Sequence, residues 1–155
     1  MTTAFTKLHI MVDSHVTPTD DDEKQYFADS LSNIIDELDT KQAYIDCFVP
    51  HLSKDTKLRG VQMLASSVDQ GGRYGHIHCH IVVLIRHSNR FDLQAADGMN
   101  ITTRMVNWVT ARCSWLADSS PYYRPDTLPY VNVVLVPAYG ENYVAKDGNG
   151  ADTDD

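Results

Sequence analysis

The 155-residue chain predicts a single α+β domain, a central antiparallel sheet flanked by helices, on three observations. Apolar residues switch along the chain between near-alternation and spacings of three and four, the periods of strands and helices. Two apolar stretches are joined by Asp69-Gln70-Gly71-Gly72-Arg73-Tyr74-Gly75, a run of turn formers short enough to make them an antiparallel hairpin. Composition, at 43% hydrophobic and 22% charged, is enough for one core and not for two.

Phe5 to Val12 alternates and reads as the first strand. Thr17-Pro18-Thr19-Asp20 offers capping side chains for a helix from about Asp21 to Leu38. In that helix Phe27, Leu31, Ile34, Ile35 and Leu38 share one face. The acidic start, Asp20 to Glu23, suits the positive end of a helix and needs no functional explanation. After an irregular connection through Pro50 to Gly60, Val61 to Val68 reads as a strand, and His76 to Arg86 as its hairpin partner. Asn100 can cap a second amphipathic helix, Ile101 to Trp115. A loop with Pro121, Pro125 and Pro129 then leads to a strand at Tyr130 to Val136, stopped by Pro137. A short helix from about Ala138 to Lys146 ends at Asp147-Gly148-Asn149-Gly150. The domain is expected to span 1–150, with 151–155 a disordered acidic tail.

No apolar run approaches the roughly 18 to 20 residues of a membrane helix, and the N-terminus lacks a signal peptide's apolar region. A soluble, intracellular protein with no membrane partner is expected. Cys47, Cys79 and Cys113 are odd in number and never paired as C-x-x-C, which indicates neither a disulfide framework nor a cysteine zinc site. The net charge of −8 runs against a nucleic-acid partner. Its distribution softens that objection. Residues 1–46 carry ten acids and three bases, residues 47–124 five acids and nine bases, and residues 125–155 six acids and one base.

His76, His78 and His80 alternate, so they project from one face of their strand while Ile77 and Cys79 project from the other. Imidazoles bind transition metals, and a third ligand can come from the adjacent strand, where Asp69 lies across the turn. Three histidines on one face suit a core badly, since each ring nitrogen would need a partner. In the expected short helix Tyr139, Tyr143 and Lys146 can share a face. A tyrosine can act as a covalent nucleophile, and a nearby ammonium can lower its pKa or neutralise charge developing on a phosphate. The two groups together describe one reaction: metal-assisted attack of a tyrosine on a phosphodiester, which keeps the bond energy in a phosphotyrosine ester.

On these residues the chain resembles the replication-initiator (Rep) branch of the HUH endonucleases over nearly its whole length. The H-x-H strand and Tyr143-Val144-Ala145-Lys146-Asp147-Gly148, which has the Y-x-x-K form of motif three of circular single-stranded DNA virus Reps, carry the resemblance. It implies a ferredoxin- or RRM-like sheet arrangement and a virus, phage or plasmid protein. It also implies an enzyme that nicks and rejoins single-stranded DNA at an origin or hairpin through a 5′-phosphotyrosine. Mn2+ or Mg2+ would be held by His78, His80, His76 and Asp69, with Asp69 standing where the family usually has glutamate. Both His76-Ile77-His78 and His78-Cys79-His80 satisfy the motif, and the second is followed by the more family-like apolar run. Tyr143 is expected as the nucleophile with Lys146 beside it, and Tyr139 as a possible second tyrosine, since some phage initiators use two tyrosines four apart. Arg73, Arg86 and Arg90 are candidate DNA contacts. A Walker A sequence is absent, so a helicase would act in trans or from a further domain, in host cytoplasm or nucleus wherever replication occurs.

Two rival readings remain. His76 to Val83 also looks like the histidine-triad signature of nucleotide hydrolases and transferases, in which His78 would attack a nucleotide phosphate without a metal. A DNA-binding module that kept the fold and lost cleavage is the other.

Overall fold

The computed structural model describes residues 4–40, 43, 58–71, 73–87 and 95–137. The expected helix over 138–146, with Tyr139, Tyr143 and Lys146, lies outside the described residues, as do Arg90 and the tail at 151–155. Strand β1 is Ala4–Asp13, helix α1 Asp21–Leu38, strand β2 Leu58–Asp69, strand β3 His78–His87, helix α2 Ala95–Ala111 and strand β4 Tyr130–Pro137.

The strands form one sheet in the order β2-β3-β1-β4, and all three pairings are antiparallel. β3 runs antiparallel to both its neighbours, so β1 and β2 are parallel to each other with β3 inserted between them. This is the split β-α-β arrangement of ferredoxin-like sheets, repeated by β3, α2 and β4. The expected α+β sheet with flanking helices is therefore what the chain forms.

Both helices pack on one face. Leu8, Ile10 and Val12 of β1 and Cys79, Ile81, Val83 and Ile85 of β3 point inward. They meet Phe27, Leu31, Ile34 and Leu38 of α1 and Ile101, Met105, Trp108 and Val109 of α2. Every one of these side chains is buried, and each fully buried one of this size stabilises the fold by about 1.5–3 kcal/mol. The opposite, outer face carries Lys7, His9, Met11 and Asp13 of β1 and His78, His80, Val82, Leu84 and Arg86 of β3. Its two ends differ. Phe5 and Leu84 are buried at one end, whereas Tyr130, His80 and Asp69 are exposed towards the other.

The start of α1 is more than a charged cap. Asp20 accepts a hydrogen bond from the Glu23 backbone N–H at 2.8 Å. The Glu23 carboxylate accepts from the Thr19 N–H at 2.7 Å and from its hydroxyl at 3.1 Å. It also receives the Arg124 guanidinium, from the long connection between α2 and β4. Glu23 is only 2% exposed. Burial alone would raise its pKa, but the Arg124 and Thr19 hydrogen bonds outweigh it and hold the carboxyl below its ordinary value.

The strands β1 and β2 extend further than expected, Pro137 closes β4 from within it, and α2 and the start of β3 are displaced. α2 runs over Ala95–Ala111 where Ile101 to Trp115 was expected, and Trp115 falls in a separate 3-10 turn, Ser114–Leu116. Cys113 takes extended dihedrals (φ −72°, ψ 106°), which breaks the helical ladder and lets Trp115 drop into the core against Phe27, ring centroids 4.8 Å apart. The Trp115 indole N–H then donates to the Thr127 carbonyl at 2.9 Å. β3 begins at His78 and not at His76, because Tyr74 (φ 60°) and Gly75 (φ 75°) turn the chain in the left-handed region just before it. No helix among the described residues is long and apolar enough to cross a membrane.

Candidate functional site

Cross-strand partners in a sheet share a face, so the register decides what can meet. Asp13 on β1 is opposite Tyr130 on β4 and opposite His78 on β3, and His78 is opposite Asp69 on β2. The outer face therefore carries one row, Tyr130, Asp13, His78, Asp69, that crosses all four strands. The next outward row is Asn132, Met11, His80 and Ser67.

Within the first row the carboxylates bracket His78. Its Nε2 lies 3.7 Å from Asp69 Oδ2, beyond hydrogen-bond range. Asp69 is held by its turn, because Oδ1 accepts from the Gly71 N–H at 2.7 Å. The His80 ring stands edge-on to His78 with centroids 5.1 Å apart and is exposed to solvent. Asp13, on the other side, accepts from the His15 N–H at 2.8 Å and meets His76 Nδ1 at 3.1 Å.

The sheet thus brings Asp69, His78 and His80 together on one face, as the alternation predicts. His76 sits ahead of β3, on the same side but drawn to Asp13. Among the described residues no three His, Cys, Asp or Glu side chains close on a single point. What stands there is two carboxylate-imidazole pairs side by side. The donors offered, imidazole nitrogen and carboxylate oxygen, are of the types that divalent transition ions take.

Arg86 lies on the same outer face, but eight residues from His78 along an extended strand, roughly 26 Å away. Arg73 lies in the 3-10 turn Arg73–Gly75 beside the site, and only its backbone is described. Cys79, between the two histidines, points into the core, where burial pushes its thiol pKa up to about 12. Cys113 is likewise pushed to about 12, by burial and by the nearness of Cys79, and both are free thiols. His87 shows the other fate of a strand histidine: it faces inward, fully buried, with Nε2 2.9 Å from the Thr6 hydroxyl oxygen.

Sequence reasoning missed Asp13, His15, Tyr74 and Tyr130. The signal for Asp13 was present, since Lys7, His9, Met11 and Asp13 continue one alternation, and a first strand one residue longer would have included it. No sequence signal marks His15 and Tyr74: their positive φ (58° and 60°) belongs to the folded backbone.

Comparison of the chain with protein-family models, with curated proteins and with solved structures returns no match in any of the three.

Proposed function

We propose that the chain is a metal-dependent endonuclease and strand transferase acting on single-stranded DNA, of the replication-initiator type. The observation that carries this reading is the placement of Asp69 opposite His78, with His80 beside it, on the sheet face turned away from the core. A carboxylate and two imidazoles on adjacent strands fit Mn2+ or Mg2+. Such an ion, when bound, would polarise a phosphodiester and offset the extra negative charge of its transition state. Asp69 and the two histidines would hold the ion, whose positive charge would offset the repulsion between the Asp69 carboxylate and a phosphodiester at the sheet. Tyr143 supplies the nucleophile: its hydroxyl loses a proton and attacks phosphorus, a 5′-phosphotyrosine bond forms, and the 3′-oxygen leaves as a hydroxyl. Lys146, three residues on, would stabilise the tyrosine oxygen as its proton leaves. The reverse attack by a 3′-hydroxyl rejoins the strand.

Incubating the chain with pooled single-stranded oligonucleotides and Mn2+, then resolving adducts on a denaturing gel, tests this. A covalent adduct that disappears with EDTA and in Tyr143→Phe is expected. An adduct that persists in Tyr143→Phe and is lost in Tyr139→Phe would move the nucleophile. Absence of any adduct, together with metal-independent hydrolysis of a nucleoside phosphoramidate lost in His78→Ala, would replace the reading with a histidine-triad hydrolase.

A further inference from the structure

Just beyond the Asp13-His78-Asp69 row, four rings follow one another around the end of the sheet. Tyr74 and His76 have centroids 5.9 Å apart, His76 and His15 5.8 Å, and His15 and Tyr130 5.9 Å with their planes within 12°. Tyr74 is 72% exposed and Tyr130 48%. His15 is exposed as well, whereas His76, 17% exposed, lies between them and is held by Asp13. Three of the four rings are thus open to solvent, which packing alone would not require.

The backbone beneath them is unusual. His15 and Tyr74 are the only non-glycine residues with positive φ among the described ones, and both lie in this arc. A left-handed β-carbon is disfavoured, so each position would be better served by glycine, and each instead carries a ring that solvent can reach. The conformations are held from outside the arc: the His15 N–H donates to Asp13, and the Thr17 hydroxyl donates to the Tyr74 carbonyl at 2.8 Å. Asp13 also meets His76, so one carboxylate sets two of the four rings.

We infer that the Tyr74-His76-His15-Tyr130 arc is a stacking platform for unpaired nucleobases of the DNA strand whose backbone lies at His78 and Asp69. This rests on the proposed function for the identity of the ligand and adds the residues that position it. Flat aromatic faces take any base, and the rings' polar atoms, two tyrosine hydroxyls and the imidazole nitrogens, lie at their edges, where a base also presents its hydrogen-bonding groups. Exposed purely apolar side chains would offer no such edges. Stacking also suits a chain with net charge −8, because it draws affinity from bases and not from phosphates.

The test measures binding without cleavage. Fluorescence anisotropy in EDTA, with a labelled oligothymidylate and an abasic strand of the same length, reads the contribution of bases directly. The wild-type chain should prefer the base-bearing strand. Tyr74→Ala and Tyr130→Ala should each weaken that binding by roughly five- to hundredfold while leaving abasic binding unchanged, and Tyr130→Phe should retain it. Tyr74→Gly should lose the same affinity while its melting temperature holds or rises, which a structural role for the ring would not permit. Equal binding of both strands by the wild type, no binding of either, or alanine variants that keep the base preference would overturn the inference. The adduct assay reads the endonuclease separately. An adduct without base preference removes the platform alone, and base preference lost in the alanine variants but without any adduct removes the endonuclease alone.

Discussion

Asp69 and His78 are opposite one another on neighbouring strands, and the proposed metal site rests on them. Calorimetric titration of Mn2+ into Asp69→Asn should show at least about tenfold weaker binding than wild type, and His78→Ala a larger loss, since each removes a ligand. Glu23 and Arg124 make a different residue-scale case. Leaving Glu23 buried without its guanidinium should cost about 2–3 kcal/mol in Arg124→Ala, less than for a fully buried pair because Arg124 keeps some contact with water. The Glu23 pKa is depressed, so the unfolded chain binds the proton more readily than the folded one. Its stabilisation is present above the ordinary value of 4.5 and is lost as pH falls through the lowered one. Urea denaturation should therefore show the gap between wild type and Arg124→Ala shrinking on acidification from pH 7 to below 4.

At the scale of elements, the turn between β2 and β3 is the most exacting segment. Gly75 has φ 75°, and a β-carbon there would meet Thr17 Cγ2 at 3.6 Å, an ordinary contact, so any penalty is conformational and not steric crowding. Gly75→Ala should cost about 1–2 kcal/mol in thermal denaturation. The same turn shows why the sequence was readable only in part. The hairpin was legible because its strands are apolar and its turn residues dense. The start of β3 was misplaced by two residues because nothing in His76-Ile77-His78 separates a paired strand from a chain that has not yet reached its partner. α2 was shifted for a related reason: Trp115 continues the apolar spacing of Ile101 and Trp108, and only the extended backbone at Cys113 takes it out of the helix. The histidine face was legible from alternation alone. Its partners Asp13 and Tyr130 were not, because they arrive from β1 and β4 through pairings of long sequence separation.

At the scale of the whole molecule, the split β-α-β topology places both helices on one face and leaves one end of the other face accessible. A strongly acidic chain that binds single strands by stacking should show weak salt dependence. Each phosphate neutralised contributes about −0.7 to the slope of log affinity against log salt, so a slope of roughly −2 or shallower is expected from titrations between 50 and 200 mM salt. A steep slope would point to cationic contacts elsewhere on the surface.

The strand order carries one more consequence, for how firmly the two carboxylates are held. Asp13 ends a strand laddered on both sides, whereas Asp69 ends β2, which is laddered on one side among the described residues and shifts register between Met63 and Ala65. Amide exchange should accordingly be slowest along β1 and β3 and faster along β2. His78 thus stands between a carboxylate on a doubly laddered strand and one on a singly laddered strand, and local opening of the sheet would reach the Asp69 side before the Asp13 side.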